Sequence, residues 1–124
     1  MFGLFHTYRV FRAISILFIG IFFSLSANAH TDLHHSIPKA NSELKSSPEN
    51  LELGFAKKVR LLQLELSNSQ NKSVDFNFKA SSEAGEIFTY ELPALENGVY
   101  TVDWSILGGD GHRISKSFNF TVNK

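Results

Sequence analysis

From residue 50 to the C-terminus, apolar side chains recur at every second position, the period that places them on one face of a pleated strand. Leu51, Leu53 and Phe55 form one such set. Leu62, Leu64 and Leu66 alternate with Gln63 and Glu65, and Val74, Phe76 and Phe78 alternate with Asp75 and Asn77. Tyr100, Val102, Trp104 and Ile106 form a fourth set, and Phe118, Phe120 and Val122 a fifth. The pattern predicts five half-buried strands, with Ile87 to Leu92 as a sixth. Between them lie SNSQNKS, KASSEAGE, LENG and GGDGH, rich in residues that favour turns or accept positive φ. No segment after residue 30 sustains a helical period for ten residues. Short strands separated by such turns predict an all-β fold, two packed antiparallel sheets of the immunoglobulin-like sandwich or barrel type. Trp104 lies in strict alternation with Tyr100 and Val102, which favours core packing over a sugar-stacking platform.

The first quarter of the chain breaks this pattern. Arg9 and Arg12 precede an apolar run from Ala13 to Leu25, and Ala27-Asn28-Ala29 closes it with small residues. These are the three regions of a secretory signal peptide. The run of about 13 residues is shorter than the roughly 20 that a bilayer-spanning helix needs, which favours cleavage over retention as an anchor. The expected organisation is a signal peptide over 1–29 and one domain over 30–124. The product is expected to be exported, as a monomer.

Composition narrows the function. Without Arg9 and Arg12, ten Lys/Arg remain against twelve Asp/Glu, about −2 with histidines neutral. That lacks the basic footprint of nucleic-acid binding. The absence of cysteine removes thiolate chemistry and zinc-thiolate sites, and Met1 is the only methionine, so a Met-rich Cu(I) site is excluded.

The remaining chemistry is histidine. His30, His34 and His35 fall within the first six residues after the expected cleavage, and His112 lies in the Asp110-Gly111-His112 triplet. Cleavage before His30 would free its α-amine, which can close a chelate ring with its own imidazole Nδ1. With Asp110 and His112 this makes an N,N,N,O set, the tetragonal preference of Cu(II). Each feature alone is weak, since Asp-Gly-His in a glycine-rich loop is usually a turn and histidines in an N-terminal tail usually bind nothing. The conjunction is more specific.

HTDLHHSIPKANS, LELGFAKKVRLLQLEL, LPALENGVYTVDWSIL and GGDGHRISKSFNFTV together resemble the CopC family of periplasmic copper-binding, copper-resistance proteins. The resemblance covers nearly all of residues 30–124. It implies an immunoglobulin-like β-barrel that binds one Cu(II) per chain. His30 would supply amine and imidazole, Asp110 a carboxylate oxygen and His112 an imidazole. It also implies a non-enzymatic copper carrier or buffer working beside an inner-membrane copper transport protein of the CopD type. Family members often carry an acidic residue in a pattern like F-S-E-P-V, where this chain has FAKKV with Lys57 and Lys58, so water is expected in place of that carboxylate. His34 and His35 are expected on opposite faces of a strand and outside the copper's ligand set, and Asp32 at the surface or orienting an imidazole. Two other functions compete. A histidine-brace copper oxygenase would share the N-terminal chelate, but an anionic Asp110 disfavours the Cu(I) it needs. A metal-free interaction domain would share only the sandwich.

Overall fold

The computed structural model describes residues 33–124. The signal segment, His30 and Asp32 lie outside the described residues. Six strands follow in order: β1 (Leu33–Ile37), β2 (Glu43–Leu44), β3 (Asn50–Asn68), β4 (Gly85–Glu91), β5 (Gly98–Leu107) and β6 (Arg113–Val122). No helix occurs among the described residues.

One strand organises the rest. The first half of β3 pairs antiparallel with β1 and β4, and its second half pairs with β5, which continues to β6. The two layers therefore share β3, which passes from one to the other at Ala56–Lys58, three consecutive exposed residues where pairing with β4 loses register. Such a break in the ladder is how a strand bends between packed sheets. One pair departs from the antiparallel expectation: β2 runs parallel to the end of β6, through Glu43↔Thr121 and Leu44↔Val122.

The core is what the alternation asks for. Leu51, Leu53 and Phe55 of one layer and Val102, Trp104 and Ile106 of the other are all buried. Phe55 meets Trp104 edge-on with ring centroids 5.4 Å apart, a direct contact between layers. Trp104 is thus core, as its alternation predicts.

Two expectations are corrected. Leu62 does not share a face with Leu64 and Leu66; Leu61 does, fully buried, while Leu62 is half-buried. The cause is a bulge in which β3 spends two steps, Leu61 to Gln63, against one step of β5, Ile106 to Ser105. An extra residue reverses the phase of the alternation. The segment from Val74 to Phe78 is not a strand. Just ahead of it Ser73 makes one bridge to Ser67, and Val74 N–H donates one bond to the Leu66 carbonyl. Asn77 then takes φ 59°, and its N–H is capped by Asp75 Oδ1 at 3.0 Å, a local turn that ends the ladder. Phe76 is still buried, against Tyr90 at 5.7 Å, so the apolar spacing reports burial without sheet pairing.

Candidate metal centre

The loop joining β5 to β6 is closed by its own backbone. Gly108 N–H donates to the His112 carbonyl at 2.9 Å, and Gly111 N–H donates to the Gly108 carbonyl at 3.0 Å. Gly111 sits at φ 82°, which side-chain-bearing residues adopt at a cost. Gly111→Ala is therefore expected to lower stability by about 1–2 kcal/mol although its Cβ would meet nothing within 4 Å; urea unfolding checks this.

This turn brings Asp110 and His112 together. Asp110 Oδ1 accepts the backbone N–H of His112 at 3.0 Å, and Oδ2 lies 3.1 Å from His112 Nδ1. The His112 N–H, before any other influence, holds the Asp110 carboxyl below the usual carboxylate range. Both side chains stay open to solvent, 83% exposed for His112 and 63% for Asp110. The pair thus offers an ionised oxygen and an imidazole, with Asp110 steering the ring. Arg113 ties the next residue to the outer face of the β5 layer, its Nη2 lying 3.4 Å from Gln63 Oε1 and 3.5 Å from Ser105 Oγ.

Two of the three expected ligands are therefore adjacent, and the third, His30, is outside the described residues. Among the described residues no three His, Asp or Glu side chains converge on one point. The topology nonetheless directs both ends to one corner. Leu33, the first residue of β1, pairs with Phe55, and Leu107, the last of β5, pairs with Arg60. The exposed Ala56–Lys58 bend lies between those two positions on β3 and carries two lysines and no carboxylate.

His34 and His35 correct a further expectation. They do not take opposite faces, because β1 advances two residues, Leu33 to His35, while β3 moves one, Phe55 to Gly54. Leu33 packs toward the core, yet His35 lies on the outer face, and exposed His34 is the extra residue of this bulge. The two rings meet edge-on at 6.1 Å.

The His35 ring lies over Gly54, where an added Cβ would collide with it. Its Nε2 is 3.2 Å from Glu52 Oε2, while Glu52 Oε1 accepts the Thr89 hydroxyl at 2.9 Å. That hydroxyl first, and His35 second, hold the Glu52 carboxyl below its ordinary range. Glu52 and Gly54 were not singled out from the sequence, although their alternation with Leu51, Leu53 and Phe55 already places them outward.

Comparisons with known proteins agree with this architecture. The family model described as the CopC domain matches residues 33–123. The copper transport protein CutJ of Bacillus subtilis is 30% identical over 115 residues, 90% of this chain but 21% of CutJ, so the chain spans about a fifth of that relative. Copper resistance protein C of Escherichia coli is 27% identical over 116 residues, 86% of this chain and 90% of the relative. Among solved structures, CopC from Methylosinus trichosporium OB3b superposes with a TM-score of 0.64 at 26% identity, covering 76% of this chain and 94% of that one. With the model matched across nearly all of the sandwich, this chain belongs to the CopC family.

Proposed function

We propose that residues 30–124, released from a signal peptide at 1–29, form a periplasmic carrier or buffer that takes one Cu(II) ion as cargo at its high-affinity site. His30 supplies its α-amine and Nδ1, His112 an imidazole nitrogen and Asp110 a carboxylate oxygen, with water where relatives place a further acid. The observation that carries this reading is the Asp110–His112 pair, preset and solvent-open on a loop at the same corner as the start of β1. His30 precedes Leu33 by three residues, a reach of about 10 Å when extended. The names of the relatives, a copper transport protein and a copper resistance protein, support copper as the metal. An inner-membrane transporter of the CopD type is the partner this reading implies.

Electron paramagnetic resonance of the chain starting at a mass-verified His30 tests the proposal. The first equivalent of Cu(II) is expected to give one tetragonal, nitrogen-rich spectrum; a weak, heterogeneous signal would overturn it. Affinity is further expected to fall by at least about tenfold per unit as pH drops below the amine and imidazole ranges of free peptides, about 7.8 and 6.5. The sign follows from protons competing for the nitrogen donors. Asp110, whose carboxyl is held low, stays ionised through that window and contributes no loss there. Competition titrations at stepped pH check this.

A further inference from the structure

The β1 bulge sets two imidazoles and a carboxylate on the outer face of the β1–β3–β4 layer, none of them among the residues assigned to the first Cu(II). We propose that His34, His35 and Glu52 form a second, weaker site for a borderline divalent transition ion, with Cu(II) and Zn(II) as the chemical class.

Three observations bear on it. First, His35 Nε2 and Glu52 Oε2 are 3.2 Å apart. Ligands held at about 2.0–2.2 Å from a tetragonal or tetrahedral ion stand about 2.8–3.6 Å from one another, so this pair already spans one edge of a coordination sphere. Second, an unbulged strand would point His34 and His35 apart, whereas here both rings are exposed and 6.1 Å from centre to centre. Two imidazoles on one ion stand about 4.5–6 Å apart by the same bond lengths, so these rings lie just beyond that range and have to close slightly. The three groups do not converge in this structure, so the proposed site requires the exposed His34 ring to turn toward the His35–Glu52 edge. Third, the acceptor is built rather than incidental. Thr89 fixes the far oxygen of Glu52, and Gly54 leaves the space in which the His35 ring lies. This is the kind of outer support that orients a metal ligand. Two imidazoles and a carboxylate without thiolate match the preference of Cu(II) and Zn(II) over Mg(II) or Ca(II).

The test uses the chain with one extra residue ahead of His30, which removes the amine donor of the high-affinity site, titrated with Cu(II) by electron paramagnetic resonance and by competition with a chelator. One residual equivalent is expected, weakened at least about tenfold in both His34→Ala and Glu52→Gln, while neither substitution changes the first equivalent of the unextended chain. Far-ultraviolet circular dichroism verifies that both variants fold, and His34, exposed and with no side-chain hydrogen bond among the described residues, is the safer of the two. Residual binding that is absent, or equal in the parent and both variants, overturns the second site. The two readings fail separately: the high-affinity proposal falls if extension leaves the first equivalent unchanged, whatever the two variants do.

Discussion

One residue added ahead of His30 is expected to weaken the first Cu(II) equivalent by about 10³-fold or more, close to 4 kcal/mol of binding free energy. The extension turns a basic amine into an amide nitrogen, a poor ligand, and opens the chelate ring that ties two donors to one residue. Removal of partners that only orient a ligand costs about 10–100-fold, so loss of a donor with its ring exceeds that range. His112→Ala is expected to reach a similar loss by another route. It deletes an imidazole and leaves Asp110 without the ring its Oδ2 faces at 3.1 Å. Because both donors serve one ion, the doubly altered chain should lose less than the sum of the single losses. Competition against a chelator of known affinity measures all three. An extended chain that binds as tightly as the parent would remove His30 from the ligand set and leave Asp110 and His112 as a turn.

The reasons why some of this was readable in the sequence, and some not, lie in the backbone. Burial of Leu51, Leu53, Phe55, Val102 and Trp104 follows from a period of two, because side chains on a strand have only two faces to choose from. The Asp110–His112 pair is equally local: two ligands separated by one glycine at φ 82° are brought together by the turn itself. Register is not local. The bulges at Leu61/Gln63 and Leu33/His35 depend on which strand lies opposite, and each reverses the face of everything on one side of it. A strict alternation therefore misassigned Leu62 and separated His34 from His35. The same limit explains Val74 to Phe78, where two buried or half-buried aromatics imitate a strand while Asn77 turns the chain away from any partner. The single long β3 was equally hidden, since FAKKV reads as a break between strands and is in fact the bend of one.

Phe55→Ala is expected to cost about 3–5 kcal/mol, the range for truncating a buried aromatic ring. A domain of this length holds only about 5–14 kcal/mol in total, so the loss removes a large share of its stability. The residue is 4% exposed and links three strands. Its ring meets Trp104 of β5 at 5.4 Å and Phe88 of β4 at 6.1 Å, and its backbone pairs across to Leu33 of β1. It stands immediately before the Ala56–Lys58 bend, so its removal loosens both layers where they are joined. Ile87→Ala on the neighbouring strand is the control. That side chain is 61% exposed, and its loss should stay within about 0.5 kcal/mol. At about 4–8 °C per kcal/mol for a domain of this size, thermal unfolding should separate the variants by more than about 10 °C. Cu(II) affinity extends the argument to the site. If the bend aligns the start of β1 with the β5–β6 loop, folded Phe55→Ala protein should bind the first equivalent more weakly than Ile87→Ala. Equal affinity would show that the loop and the N-terminal residues find each other without the corner, and that the sandwich supplies stability but not alignment.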